Sequence, residues 1–237
     1  MLRSINEIIG YTLMATDGEI GKCDDFLFED RPWIIRYAVA KTGNWLFDRK
    51  VLLFLITLEK PDWNTMLLHV NLTKQQIKDS PPLDDDAPIS RQYEKQSFLY
   101  YGWPAYWAHS AEETSDNESF LRSVKEVSGY SAWCGENKAG KVFDFIVDDS
   151  IWAIRYIAIK TNKDLGGNKV LVAPEWVRSV DLISQSVHID LTKELLENCP
   201  DYNPEEPVNR DFESILYDYY GRPYYWESDE ADLIGKK

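Results

Sequence analysis

The sequence is poor in positive charge. Lys and Arg number 26 against 40 Asp and Glu, which gives a formal net charge of −14. Nucleic-acid binding draws its affinity from clustered Lys and Arg that displace counterions from phosphates, and the sequence contains no dense basic run. This balance argues against a nucleic-acid partner and against a peripheral role on anionic lipid, while leaving protein partners open.

Long apolar runs and paired cysteines are also missing. The stretch "VLLFLITL" (51–58) is far shorter than the roughly 18 residues of a membrane helix, and "MLRSINEIIGY" lacks the apolar core of a signal peptide. Cys23, Cys134 and Cys199 are odd in number and show no CxxC spacing. A disulfide framework and a zinc site are therefore both disfavoured. We expect no membrane span and a cytoplasmic location with reduced thiols.

Catalytic signatures are scarce as well. The sequence holds three histidines and no GxSxG, HExxH or P-loop motif, so no nucleophile with a neighbouring base is indicated. "DLGGNK" (164–169) is typical of a tight turn, and Asp84–Asp86 lack the alternating ligand spacing of a calcium loop. We therefore predict no catalytic residue, no metal and no cofactor, and a chain that is not an enzyme.

What the sequence does contain is a long internal repeat. "LYYGWPAYW" (99–107) returns as "DYYGRPYYW" (218–226), an offset of 119 residues. The same offset places "GKCDDFLFEDRPWIIRYAVAKT" over "GKVFDFIVDDSIWAIRYIAIKT", and Arg91 and Glu94 over Arg210 and Glu213. Such extensive self-similarity indicates a duplication.

The repeat divides the chain into two equivalent halves. The predicted segments are a first barrel (1–80), a connector with an aromatic helix (81–107), a linker (108–119), a second barrel (120–199), a second connector with an aromatic helix (200–226) and a tail (227–237). Short strands rich in β-branched and aromatic residues, such as Trp33–Lys41, follow a hairpin turn at Asp17–Gly18. Short helices are expected to start at Thr73 and Thr192. The fold class is therefore mainly β, with two tandem small barrels, each followed by a short aromatic helix.

The aromatic segments are predicted to be helical up to a glycine. Ser90 is a candidate helix cap, and Gly102 is expected to end the first helix in the left-handed conformation. Its aromatic stripe must be buried, either against a barrel or by a partner. The residues predicted to serve packing or interaction are Tyr100, Tyr101, Trp103, Trp107, Tyr219, Tyr220, Tyr225 and Trp226. The sequence leaves open whether each helix packs on its own barrel or on the other.

Charged residues kept in both repeats suggest a structural role. Asp25 and Arg36 lie in predicted neighbouring strands, as do Asp144 and Arg155. A guanidinium that binds a carboxylate with two hydrogen bonds would fix the register of the strands. We therefore predict one structural Asp–Arg pair in each repeat.

The first repeat carries the hairpin "DGEIGKCDDFLFED" (17–30) and the strand "WIIRYAVAKT" (33–42). This pattern resembles the PRC-barrel family, and it matches at Gly10, Asp17, Gly18, Gly21, Lys22, Asp25 and Asp30. The second repeat departs at the turn, where Glu136–Asn137 replace Asp17–Gly18. The aromatic segment resembles an extension found on a bacterial subgroup of the family.

This resemblance implies a six-stranded small barrel used mainly as an interaction or assembly module. The family includes the cytoplasmic part of the photosynthetic reaction centre H subunit and the C-terminal domain of RimM. Only the fold and the general role are carried over, which gives a non-catalytic adaptor with a protein partner of unknown identity. The alternatives are a small-ligand-sensing module with a site between the barrels and an enzyme of unrecognised type. A homodimer also stays open.

Overall fold

The computed structural model describes residues 1–43, 46, 49–81, 89, 91–109, 121–162 and 167–227. The protein is mainly β. Its strands in chain order are β1 (Leu2–Ser4), β2 (Thr12–Ala15), β3 (Gly18–Glu29), β4 (Ile34–Thr42), β5 (Lys50–Phe54), β6 (Leu67–Val70), β7 (Leu121–Ser123), β8 (Ser131–Cys134), β9 (Asn137–Asp148), β10 (Ala153–Thr161), β11 (Lys169–Val172), β12 (Val177–Asp181) and β13 (Ser186–Ile189). Its helices are α1 (Lys74–Lys78), α2 (Arg91–Tyr101), α3 (Val124–Val127), α4 (Lys193–Glu197) and α5 (Arg210–Tyr220).

The chain folds into two compact units. The N-terminal unit comprises Ile5–Glu126 and Asp149–Ala153, and the C-terminal unit comprises Met1–Ser4, Val127–Asp148 and Ile154–Lys237. Elements recur in the two units 119 residues apart: β4 and β10 each span nine residues, and α2 and α5 each span eleven.

In the N-terminal unit, β5, β4, β3 and β2 form an antiparallel ladder, and β6 is added parallel to β2. The C-terminal unit repeats this order, from β11 through β10, β9 and β8 to β13, with β12 beyond it. Each sheet is therefore mixed, because one of its pairings is parallel.

The close approach of two strands explains one retained glycine in each unit. At Gly21 a Cβ atom would lie 2.2 Å from the Lys41 carbonyl oxygen, and at Gly140 it would lie 2.3 Å from the Lys160 carbonyl oxygen. Real Cβ atoms do not approach oxygen this closely, so only glycine permits this backbone packing.

The sheets are not closed rings. Among the described residues, the hydrogen-bonded path of the N-terminal unit ends at β5 on one side and at β6 on the other. A 3-10 turn at Leu55–Thr57 interrupts the chain after β5, and the residues beyond it meet β6 only through the isolated bridges Leu58↔Val70 and Asp62↔Leu67. The closed barrel predicted from the sequence is therefore not seen.

The first strand of each repeat lies in the unit that contains the other repeat. β1 pairs with β9, with Leu2 opposite Asp148, and β7 pairs with β3, with Leu121 opposite Glu29. The structure thus departs from the predicted boundaries 1–80 and 120–199, which kept each first strand with its own repeat. Local patterning could not reveal this exchange, because the strand has the same sequence, "LRS", in both repeats.

Asp25 and Asp144 bind the exchanged strands. Asp25 accepts hydrogen bonds from Ser123 Oγ (2.5 Å), from the Phe26 amide (2.7 Å) and from the Lys125 amide (3.1 Å). Asp144 likewise accepts from Ser4 Oγ at 2.6 Å. The predicted Asp25–Arg36 pair is therefore wrong, since the carboxylate of Asp25 is used by the incoming strand and its backbone.

Several local predictions are confirmed. The predicted hairpin is present, but its turn lies at Thr16–Asp17, one residue before the predicted Asp17–Gly18, because Ala15 pairs with Gly18. Thr73 and Thr192 cap α1 and α4 with their hydroxyls. Gly221 ends α5 in the left-handed conformation, and Gly102, which follows α2, has a φ of 69°.

The predicted strand at Trp33–Lys41 begins one residue late, because Trp33 has a φ of 64°. Trp152, its counterpart, has a φ of 55°. Both rings are buried: that of Trp33 is stacked on Phe28, and that of Trp152 packs at a tilt against Phe26. This packing holds a backbone conformation that bulky residues rarely adopt.

Other predictions lie outside the described residues. They are the Ser90 cap, the acidic triplet Asp84–Asp86, the first half of the turn "DLGGNK", most of the linker 108–119 and the tail beyond residue 227.

We predict that Ser123→Ala destabilises the N-terminal unit by about 1.5–3 kcal/mol, because a buried carboxylate loses a hydrogen bond. Ser4→Ala should act in the same way on the C-terminal unit. Hydrogen exchange of β3 and β9 amides would measure the two effects separately. The exposed Ser179→Ala control should change stability by less than about 0.5 kcal/mol. Equal protection of β3 in Ser123→Ala and wild type would contradict the assigned role.

Candidate functional site

The first lock, which we define as residues 91–107, packs its aromatic rings on the N-terminal unit. Phe98 is 3% exposed, and its ring centroid lies 4.7 Å from that of Phe54 and 4.8 Å from that of Trp107. Trp103 is stacked between Tyr101 at 4.2 Å and Phe54 at 5.4 Å. A helix with an aromatic stripe must bury it, and here the stripe is buried on the unit's own strands.

A buried glutamate lies at the centre of this lock. Glu94 is 1% exposed, and its Oε1 accepts hydrogen bonds from Tyr37 at 2.8 Å and from Tyr106 at 2.7 Å. Its Oε2 lies 3.0 Å from the guanidinium of Arg91, which is also buried. The carboxylate therefore joins a strand, the helix and the segment after the helix through three charged or polar contacts.

Arginines cover the outer rings of the lock. The Arg36 guanidinium lies 4.1 Å from the ring centroid of Tyr106 and donates two hydrogen bonds to Glu29, at 2.8 and 2.6 Å. Arg91 lies 4.5 Å from the ring centroid of Trp107. Arg36 thus contacts both Tyr106 of the lock and Glu29. These contacts further explain why it does not pair with Asp25 as predicted.

The second lock, residues 210–226, repeats the same constellation 119 residues further on. Glu213 Oε1 accepts from Tyr156 at 2.7 Å and from Tyr225 at 2.8 Å. Arg210 lies 3.2 Å from Glu213 Oε2 and covers the Trp226 ring at 4.0 Å, while Arg155 covers the Tyr225 ring at 4.1 Å. Each lock therefore packs within its own unit, which the sequence had left open.

The remaining predicted aromatic residues face the short helices. Tyr100, which is 42% exposed, donates to the Gln76 carbonyl at 3.0 Å, and Tyr219 donates to the Leu195 carbonyl at 2.9 Å. The Tyr220 ring lies 4.6 Å from that of Trp176. The two tyrosine–carbonyl hydrogen bonds connect the locks with α1 and α4.

Burial dominates the ionisation of the lock. It raises the pKa of Glu94 above its usual range, although the Tyr106 hydroxyl and Arg91 act in the opposite direction. Burial and the facing carboxylate also raise the pKa of Tyr37, and they bring that of Tyr225 to about 12. These tyrosines stay neutral donors at physiological pH.

The sequence shows that four charged residues recur at the same offset, but it does not by itself assign them a role. They are Arg91, Glu94, Arg210 and Glu213. A usable signal was available: each glutamate is an acidic residue inside a segment otherwise rich in aromatic residues. Such a residue, kept in both repeats, is typical of a buried hydrogen-bond acceptor.

An apolar groove opens on the surface of the N-terminal unit. Its volume is about 270 Å³, and Ile34, Leu55, Ile56 and Ile151 contribute to its lining. Ile56 is 63% exposed and Ile151 is 55% exposed. These two isoleucines are therefore apolar side chains of the N-terminal unit that stay accessible to solvent.

The three cysteine thiols are withdrawn from solvent. Cys23, Cys134 and Cys199 are buried free thiols, and burial raises the pKa of Cys134 and of Cys199 to about 11. His188 lies in β13 and contacts Ser186 Oγ at 3.0 Å through Nε2. Within the described residues, no three His, Cys, Asp or Glu side chains are grouped closely enough to hold a metal ion. In the same part of the chain, no helix is long and apolar enough to cross a membrane.

Comparison with known proteins does not place the chain in a family. No protein-family model matches it, and no curated protein matches it either.

We predict that Glu94→Ala destabilises the N-terminal unit by about 3–5 kcal/mol, because Arg91 is left buried without its carboxylate. The matched change Glu213→Ala should cost the C-terminal unit only about 1–3 kcal/mol, since two tyrosine hydroxyls lose their acceptor but Arg210 is 53% exposed and remains solvated. Unit-resolved hydrogen exchange on α2 and α5 would measure both. A larger loss for Glu213→Ala would contradict this assignment.

The raised pKa of Glu94 predicts a specific pH dependence. The folded unit holds this proton more strongly than the unfolded chain does, so the contribution of Glu94 to the free energy of unfolding falls as the pH rises from about 4.3 through the raised pKa. Glu94→Gln lacks this contribution. The stability of wild type relative to Glu94→Gln should therefore decrease with pH across that window in denaturant titrations. If the difference in unfolding free energy between wild type and Glu94→Gln stayed constant or rose with pH, the assigned titration of Glu94 would be refuted.

Proposed function

We propose that this chain is a non-catalytic interaction or assembly module, built by duplication from two PRC-like barrels. The observation that carries the proposal is the apolar groove of the N-terminal unit, with Ile56 and Ile151 exposed at its rim. The resemblance of the first repeat to the PRC-barrel family supports the same role. The proposal places the protein in the cytoplasm with a protein partner.

The groove offers contact area but few polar anchors. Arg36 also lines it, yet its guanidinium is paired with Glu29 and covers Tyr106. The surface offered to a partner is thus mainly aliphatic, which suits a protruding Leu, Met or aromatic side chain. The net charge of −14 favours a partner with a basic rim around that side chain.

The buried groups of the first lock support a non-catalytic role. Glu94 is the acid with a raised pKa in this cluster, and its oxygens are taken up by Tyr37, Tyr106 and Arg91. At 1% exposure it has no access to a substrate. An acid that is buried and held by two tyrosine hydroxyls and an ion pair has a structural role and does not transfer protons to a ligand.

The double variant Ile56→Asp, Ile151→Asp tests this proposal. We expect it to lose a partner that the wild type captures from native extract, because two charges in the groove oppose apolar docking. Ile183→Asp is the matched control, since Ile183 is 99% exposed in the C-terminal unit, and it should retain the partner.

Circular dichroism and thermal unfolding would verify that all the variants fold. Light scattering would show whether the captured partner is a second copy of the chain. The proposal fails if wild type and the groove variant capture the same proteins in the same amounts.

A further inference from the structure

The sheet of the C-terminal unit ends at β12. Within the described part of the chain, β12 pairs with β13 on one side and with no strand on the other. An edge strand presents backbone N–H and C=O groups that can pair with a further strand. The C-terminal unit therefore offers a pairing edge that is five residues long.

The equivalent segment of the N-terminal unit does not offer such an edge. The residues 119 positions before Ser179 and Val180 are Lys60 and Pro61. Proline has no N–H to donate, and lysine at an edge disfavours further pairing. Among the described residues this segment forms no strand and meets β6 only through two isolated bridges. One repeat thus has a blunted edge, and the other has an edge without these safeguards.

The turn that follows β12 exposes two apolar side chains. Leu182 is 39% exposed and Ile183 is 99% exposed. The turn is held by the Asp181 carboxylate, which accepts hydrogen bonds from the amides of Ile183 at 2.8 Å and Ser184 at 3.0 Å. Ile183 therefore projects into solvent from an ordered turn, at a position where the other repeat has the polar Asn64.

The sequence of β12 and its turn is complementary to itself. When two copies of β12 pair antiparallel about a two-fold axis at Val180, this valine lies opposite the Val180 of the second copy. In the same register Ser179 lies opposite Asp181 of the second copy, and the contact occurs twice. Ile183 comes beside Val177 of the second copy, so the exposed isoleucine gains an apolar neighbour. Cross-strand pairs of these kinds stabilise antiparallel sheets.

A bulge in β12 adds charge complementarity to this register. The pairing with β13 shifts between Val177 and Ser179, so Arg178 is the additional residue and shares one opposite position with Ser179. Arg178 is exposed, as is Asp181, and the register brings each Arg178 next to the Asp181 of the other copy. The two resulting ion pairs oppose the repulsion between chains that each carry a net charge of −14.

We infer that β12 pairs antiparallel with β12 of a second copy of this chain, which joins two C-terminal units through one continuous sheet. The interface is the same patch on both copies, as a closed two-fold dimer requires. Because one short strand and its turn form a small interface, we expect weak association, with a Kd on the order of 10–100 µM. The inference does not rest on the proposed function, since the docking groove belongs to the other unit.

Analytical ultracentrifugation of the full chain over a concentration series tests the inference. The weight-average mass should rise from the 27.6 kDa of one chain towards twice that value between about 1 µM and 1 mM, which brackets the expected Kd. Hydrogen exchange should show that the β12 amides become more protected over the same range. A mass that stays at that of one chain up to about 1 mM would overturn the inference.

A proline in the edge locates the interface. Val180→Pro removes the N–H at the centre of the pairing and should weaken the dimer at least about tenfold. Pro61 occupies the equivalent position of the other repeat, so the hairpin should stay folded. Val180→Thr is the matched control, because it keeps both the N–H and a branched side chain, and it should retain the dimer.

Ile183→Asp probes the same interface without a change in the backbone. Ile183 is 99% exposed, so the variant should fold, and it should weaken the dimer several-fold because a carboxylate replaces the apolar contact with Val177. Ile215→Asp, at a 57% exposed position of the same unit, should leave the dimer unchanged.

Thermal unfolding and circular dichroism check that each variant is folded. A dimer that persists with unchanged affinity in a folded Val180→Pro, or in Ile183→Asp, would show that β12 is not the interface. Capture of a partner through the groove is a separate measurement. Ile183→Asp should lose the dimer and keep that partner, so failure of the dimer and failure of the proposed function can be told apart.

Discussion

The structure of each unit depends on one buried carboxylate that accepts two tyrosine hydroxyls. Glu94 and Glu213 connect β4 or β10, through Tyr37 or Tyr156, with the segment after the helix, through Tyr106 or Tyr225. A carboxylate in an apolar aromatic cluster is costly unless it is fully bonded. Any shift of the helix along the strand would break at least one of these bonds, so the glutamate fixes the position at which the aromatic stripe packs.

The sequence predicted the secondary-structure elements better than it predicted which residues contact one another. Local rules sufficed for the Thr73 and Thr192 caps, the hairpin turn and the glycine ends of the helices, because each depends on residues a few positions apart. Asp25 could not be assigned in this way. Its partner, Ser123, is 98 residues distant, and the predicted partner, Arg36, binds Glu29 instead. The closed barrel failed for a related reason, since the 3-10 turn after β5 depends on packing and not on pattern.

Because the first strands are exchanged, each unit is completed by a strand that belongs to the other repeat. The strand that completes the ladder beside β3 is encoded 92 or more residues after it, and the strand beside β9 is encoded at the start of the chain. Each Asp–Ser hydrogen bond, like the strand pairing beside β3 or β9, joins residues of different repeats, so the exchange favours retention of both repeats in one chain.

When both repeats are retained, their sequences can diverge at positions that do not contact Glu94 or its counterpart Glu213. The first lock is filled by the stack of Tyr101, Trp103 and Phe54. The second has Arg222 and Ala173 in place of two of these rings, gains Trp176 where the first repeat has Thr57, and contains a Tyr217 hydroxyl without a hydrogen-bond partner. A buried hydroxyl without a hydrogen-bond partner costs about 1–3 kcal/mol, so Tyr217 is a cost to the C-terminal unit. The C-terminal unit nevertheless keeps the tyrosine–glutamate hydrogen bonds, which are the same in both units. Stability is therefore concentrated in the repeated contacts, and the positions between them are free to acquire separate binding properties.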